Sequence, residues 1–340
     1  MKGLLLINLG TPDAPTVPAV RRYLRQFLSD PLVIDIPWIF RMLLLYFIIL
    51  PFRPAKSAEA YQQVWTKEGS PLLVYGQALT KAVAERLGSD WAVRLGMRYG
   101  NPSIGEALKS LVADGVTQLV VLPLYPQWAS SSTESSVQEF KRLVATVAPE
   151  LETTILGDFF TLDGFIDAQA DQVTELMGEQ VPESTHVVYS FHGLPERHIL
   201  AENAGQNHCL AKPDCCAQVG SMNRRCYRAQ CFATARALSA RLNLTDDQWS
   251  VGFQSRLGRA QWIEPDTVPL LENLAASGCS DVLVLCPSFV ADCLETLEEM
   301  DIRGKEVFQD AGGKTFSRAL TVNTHPKWVE AVAKMAEQAV

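Results

Sequence analysis

The chain has 340 residues, 47% of them hydrophobic and 20% charged, with a net charge of −8. That length suggests two domains at roughly 100–200 residues each, and the apolar fraction is enough for a large core. The acidic balance excludes the basic footprint of a nucleic-acid binder.

Residues 3–9 (GLLLINL) read as a buried first strand. An Asn, a Gly and a Thr-Pro turn follow them where a secretory signal would have a cleavage site. Residues 38–52 (WIFRMLLLYFIILPF) form an apolar stretch interrupted by Arg41 and Pro51. A membrane-spanning helix needs about 20 apolar residues, so the stretch is too short to cross. It is either a buried core helix or a protruding apolar lip. Its Trp, Tyr and Phe suit an interface with a membrane or an oily substrate, and the lip is the reading taken.

Further strands are expected at 92–97, 117–123, 153–157, 186–191, 249–254, 281–286 and 319–322. Helical periodicity lies between them at 73–87, 103–114, 164–179, 231–242 and 266–277, with a last helix at 326–339. Near-continuous apolar strands alternating with helices imply parallel sheets covered on both faces. The fold class is α/β, with two Rossmann-like domains, each a four-stranded parallel sheet flanked by helices. The first spans 1–150 and the second 151–322, with 323–340 packing back on the first. Ligands of open α/β sheets bind beyond the carboxyl ends of strands. Those ends carry Gly10-Thr11-Pro12, Tyr125-Pro126-Gln127, His192-Gly193-Leu194-Pro195 and Pro287-Ser288-Phe289, so the active site is expected in the cleft between the halves.

Neither a G-x-G-x-x-G dinucleotide turn nor a G-x-x-x-x-G-K-[ST] phosphate loop is present, so no nucleotide is implied. Among five histidines, His192 stands at a strand end before a Gly-Leu-Pro turn, and His186 shares its strand face. The segment 292–301 is acidic. On a helix Asp292, Glu295 and Glu299 would share a face, where like charges repel unless solvated, protonated or neutralised by a cation. Oxygen ligands in such a row suit a divalent metal path. Of eight cysteines, Cys209, Cys215, Cys216, Cys226 and Cys231 crowd together. In a cytosolic chain such clusters hold metal or iron–sulfur more often than disulfides. The spacing lacks a C-x-x-C pair, and four thiolates fit a [2Fe–2S] cluster. Cys279, Cys286 and Cys293 read as buried thiols.

These residues sit in stretches that closely resemble the ferrochelatase (protoheme ferro-lyase) family from the first strand to the last helix. The stretches are LINLGTP (6–12), RYLRQFLSDP (22–31), GSPL (69–72), LPLYPQWASSST (122–133), SFHGLPER (190–197), FQSRLGRAQWIEP (253–265) and CPSFVADCLETLEE (286–299). The chain is most similar to proteobacterial members. The resemblance implies insertion of Fe²⁺ into protoporphyrin IX in the terminal step of heme biosynthesis, with His192 as catalytic histidine and Glu295 as the carboxylate facing it across the macrocycle. It further implies a proton or metal path through Asp292 and Glu299 along a π-helical stretch. Leu9 and Trp262 become porphyrin contacts, and 38–52 a lip meeting substrate or the inner membrane. Some bacterial members carry a cysteine-rich insert after the His-Gly-Leu-Pro motif, and 200–231 resembles it. Cys209, Cys216, Cys226 and Cys231 are the favoured ligands of a [2Fe–2S] cluster, with Cys215 as the alternative. A cytoplasmic location follows, with peripheral membrane contact through 38–52.

Two other functions compete: a chelatase for coproporphyrin or another tetrapyrrole, and a non-catalytic porphyrin or metal carrier. The apolar lip favours the oilier protoporphyrin, because removing apolar area from water contributes roughly 25 cal/mol per Å².

Overall fold

The structure is a computed structural model that describes residues 1–204, 208–256, 258 and 260–340. Positions 205–207 of the cysteine-rich stretch, and 257 and 259 of the 253–265 motif, lie outside the described residues. Two compact units divide the chain. One comprises Met1–Tyr125, Ala129–Asp158 and Val329–Val340, the other Pro126–Trp128 and Phe159–Trp328.

The first unit is built on Lys2–Thr11 (β1), Trp91–Gly100 (β2), Gln118–Pro123 (β3) and Glu152–Ile155 (β4), in the order β2-β1-β3-β4. All neighbours pair in parallel. The central strand β1 is covered on both faces, which is why its apolar run is continuous rather than alternating: Leu4, Leu5, Leu6 and Ile7 are fully buried. On one face Leu5, Ile7 and Val121 pack with Leu108 and Phe140 from helices. Arg86 on the helix Pro71–Leu87 pairs with Glu330 and Glu337 of the final helix, Pro326–Glu337.

The second unit repeats that topology. Thr185–His192 (β5), Trp249–Gln254 (β6), Asp281–Leu285 (β7) and Thr315–Arg318 (β8) form a parallel sheet in the order β6-β5-β7-β8. The chain reverses its direction of winding between β5 and β7, the switch point where ligands of such sheets bind. His192 ends β5, and the acidic segment follows β7.

The strand expected at 319–322 falls instead at Thr315–Arg318. That edge strand alternates exposed and buried residues, a weaker signal than the apolar ALTV behind it. Ala319, Thr321 and Val322 are buried because the chain turns inward there, while Leu320 is exposed. Ala319 N–H gives a bond to Val284 O at 3.0 Å, after which Thr321 hydroxyl donates to Asn323 Oδ1.

The apolar stretch at 38–52 belongs to one helical run, Trp38–Val64. It contains a π-helical turn at Leu44–Ile49, where Leu50 N–H donates to Leu45 O, five residues back. The wide turn directly precedes Pro51, whose ring would crowd a regular α-helical turn. Trp38, Phe40, Phe47 and Phe52 are between 63% and 76% exposed, so the core-helix alternative fails. By length and composition this run passes the test for a membrane span that the 38–52 stretch alone fails.

Candidate active site

The carboxyl ends of β5, β6 and β7 converge in the second unit. His192 is half-buried there, and its Nδ1 lies 2.7 Å from Gly193 O. A carbonyl oxygen only accepts, so Nδ1 carries the proton and Nε2 of the neutral ring is the acceptor. The backbone of His192 is held at both ends: its N–H donates to Ser288 Oγ (3.2 Å), and its C=O accepts from the Tyr227 hydroxyl (2.8 Å). Burial pushes the Tyr227 hydroxyl well above its ordinary value, so it stays a donor. Position 193 must be glycine for packing reasons. A Cβ there would sit 2.7 Å from Gln254 O and 3.3 Å from the Trp262 ring, so Trp262 lies directly over the turn behind His192.

The acidic segment does not form one helix face. Asp292 precedes the helical turn Leu294–Thr296, and the π-helix Leu297–Gly304 follows. Each carboxylate has a different environment. Asp292, 1% exposed, accepts from Arg318 (2.8 Å), Asn323 (2.8 Å) and Thr296 (2.9 Å). Glu299 accepts from Ser255 N–H at 2.7 Å, from the Ser255 hydroxyl, and from Gln254 Nε2 at 3.3 Å. Ser255 adopts φ +66° to make that contact, a backbone region uncommon for serine. Glu295 is half-buried beside the Cys293 thiol. Burial, reinforced by Glu295's charge, pushes that thiol well up, so Cys293 stays neutral. Asp292 therefore serves as a buried pin rather than a free ligand, which the sequence spacing did not show.

Four cysteines of the cysteine-rich stretch contact one another in pairs. Cys209 and Cys216 both hydrogen-bond Cys226, and Cys215 Sγ lies 3.8 Å from Cys216 Sγ. Arg228 Nη1 donates to Cys216 Sγ at 3.1 Å. Cys231 is fully buried one turn into the helix Tyr227–Arg241, where its thiol pairs with the Tyr227 side chain and lies near Cys216 and Arg228. These thiols contact pairwise: among the described residues, no three His, Cys, Asp or Glu side chains converge as a metal site. All eight cysteines are free thiols.

The first unit contains a buried polar network that the sequence did not single out, although Asp30 lies within the RYLRQFLSDP stretch. Asp30 accepts from Arg98 (2.6 Å), Tyr99 (2.8 Å) and Ser135 (2.6 Å). Burial opposes its charge, yet the bonds from Ser135, the Leu32 amide and Tyr99, with the Arg98 guanidinium, hold its carboxyl below the usual range. Leu9 is half-buried near the end of β1 in the same unit. Arg318, Asn323, Gln254, Ser255 and Tyr227 were also missed. Only the position of Gln254 and Ser255 at a strand end could have suggested them.

Solved structures share this fold. SirB from Bacillus subtilis with Fe³⁺ superposes with a TM-score of 0.55 at 11% identity, covering 100% of this chain and 96% of that one. A sirohydrochlorin chelatase SirB from Bacillus subtilis subspecies spizizenii, in complex with cobalt, gives 0.55 at 9% identity over 99% and 94%. At that identity the likeness speaks for the fold, and it defines the chain as a two-unit α/β protein of the chelatase fold.

A family model described as Ferrochelatase matches residues 1–340. The chain is 49% identical over 338 residues to a Ferrochelatase of Coxiella burnetii, covering 99% of this chain and 94% of that one. It is 45% identical over 339 residues to one of Stutzerimonas stutzeri, covering 99% and 98%. The chain belongs to the ferrochelatase family, as its motifs imply. It is a lyase of heme biosynthesis that acts on a porphyrin and ferrous iron.

Proposed function

We propose that the porphyrin is protoporphyrin IX and that His192 is the base that deprotonates it. The observation that carries this is the His192 tautomer, since the Nδ1 contact to Gly193 O leaves Nε2 as an aimed acceptor. A free-base porphyrin loses two pyrrole protons as Fe²⁺ enters, giving protoheme and two H⁺. Nε2 takes one proton as general base. The Glu295 carboxylate binds the incoming cation or takes the second proton. Trp262, over the turn behind His192, supplies an apolar porphyrin contact. A rigid site that binds the distorted macrocycle better than the flat one lowers the barrier further. His192→Ala should cut anaerobic iron insertion by about 10²-fold or more, with porphyrin binding by fluorescence unchanged. Insertion near the wild-type rate would refute the assignment. Parallel rates on coproporphyrin decide the substrate.

The thiols of Cys209, Cys215, Cys216 and Cys226 suit a [2Fe–2S] cluster as a four-sulfur donor set with Arg228 beside it,. When bound, the group would supply one-electron redox chemistry and a crosslink across the segment. Cys215 replaces the initially favoured Cys231, whose thiol is engaged with Tyr227. The visible spectrum of protein purified anaerobically tests this: Cys215→Ala should lose the cluster absorbance and Cys231→Ala keep it.

The free thiols suit a reducing cytoplasm. The exposed lip suits peripheral contact with the inner membrane, because Arg21, Arg22 and Arg25 line a hollow of about 470 Å³ with Tyr46, Leu50 and Pro51. Cations beside exposed aromatics complement anionic headgroups.

A further inference from the structure

We propose that Gln254 is a positioning residue that sets the spacing between the His192 imidazole and the Glu295 carboxylate. The inference rests on the assignment of those two groups above and adds the element that gauges them. Gln254 ends β6 directly opposite His192 in the sheet register. Its backbone C=O accepts from Gly193 N–H at 2.8 Å, which fixes the turn that orients the His192 ring. Its side-chain Nε2 donates to the backbone C=O of Glu295 at 2.8 Å and to Glu299 Oε2 at 3.3 Å. Its Oε1 accepts from the Ser190 hydroxyl at 2.7 Å, two residues before His192 on β5. One residue thus bonds the histidine strand, the histidine turn, the Glu295 backbone and the Glu299 carboxylate.

The chemistry requires a carboxamide. Glu295 C=O only accepts, and an ionised Glu299 carboxylate does the same, so they demand both N–H donors and fix the amide orientation. The side chain is 1% exposed, so water cannot substitute for a lost bond. Glutamate would place a second carboxyl against Glu299, and methionine would keep the length but make none of the bonds. Neither Gln254 nor Ser190 is placed to touch the reacting atoms; they act through His192 and Glu295.

Purified full-length Gln254→Met, Ser190→Ala, His192→Ala and Glu295→Gln, each checked by circular dichroism, are assayed for iron insertion into protoporphyrin. Gln254→Met should lower kcat about 10–100-fold, the range for losing the groups that orient reactive side chains, with KM for porphyrin within about twofold. Ser190→Ala, which removes the bond to Oε1 and a 3.0 Å contact to Thr267 Oγ1, should lower kcat by less, about 3–10-fold, and serves if Gln254→Met does not fold. Wild-type kcat in Gln254→Met, or in Ser190→Ala where only that variant folds, would overturn the inference. So would a loss of kcat matched by an equal loss of porphyrin affinity. Retained activity in His192→Ala and Glu295→Gln would overturn the assignment and this inference together; loss there with wild-type kcat in Gln254→Met overturns this inference alone.

Discussion

Arg318→Met isolates the buried pin of the acidic segment. The Arg318 and Asp292 side chains are 2% and 1% exposed and meet at 2.8 Å. Arg318 Nη1 also donates to Ala319 O at 3.0 Å, and its Nε lies 3.5 Å from Asp301. Methionine fills most of the volume but leaves the Asp292 charge buried with only the neutral donors Thr296 and Asn323. Removing one partner of a buried pair costs about 3–5 kcal/mol, whereas replacing both by apolar groups is often neutral. At about 2–4 °C per kcal/mol for a unit of this size, the second unit should melt about 6–20 °C lower. Calorimetry of wild type, Arg318→Met, Asp292→Leu and the double variant forms the cycle, and the double variant should recover most of the loss. A single-variant cost below about 1 kcal/mol, or strict additivity, would show that the pair does not bear on stability.

Asp30 makes acid stability sensitive to one carboxyl. Its folded pKa lies below the unfolded value of about 3.9,, so its contribution is complete above that value and is lost as pH falls through the folded pKa. Asp30→Asn should therefore lower stability at pH 7 and flatten the acid limb of a urea-midpoint profile; an unchanged slope would contradict this. Gly193→Ala must push against Gln254 O and the Trp262 ring, costing about 1–3 kcal/mol and lowering kcat by displacing His192; wild-type kinetics would show the contact to be soft. Phe47→Asp with Phe52→Asp should change stability by no more than about 0.5 kcal/mol, because both rings are over 70% exposed. The pair should also abolish co-sedimentation with phosphatidylglycerol vesicles, and retained binding would remove the lip from membrane contact.

The strands β1, β3, β5 and β7 were legible because both faces of a parallel sheet are covered there and the apolar run is nearly unbroken,. β8 was not, because its edge position lets Thr315 and Ser317 stay polar while the loop behind it is the more apolar segment. His192 and the acidic row were legible as chemistry-bearing types at strand ends. What neutralises the row was not: Arg318 is 26 residues from Asp292, and its role exists only once β8 lies beside β7. The cysteine spacing shows that thiols crowd together. Helix phase decides which of them touch, and the helix begins at Tyr227, four residues before its apolar periodicity suggests. That start places Cys231 one turn beyond Tyr227, against that side chain and near Cys216.

The three carboxylates of the acidic segment are graded by what already satisfies them. Asp292 has a guanidinium and two neutral donors and is sealed from water. Glu299 has a backbone N–H, a hydroxyl and an amide. Glu295 has neither an ion pair nor a backbone donor among the described residues, and its neighbour is a neutral thiol. A group already bonded on both oxygens must give up those bonds to take a proton or a cation, at about 1–3 kcal/mol for each buried partner left unmade. Glu295 gives up least, and its backbone is the one Gln254 holds to the strand opposite His192. The fold thus spends its strong donors on the carboxylates that brace the π-helix, and leaves reactive the one that it has fixed in place.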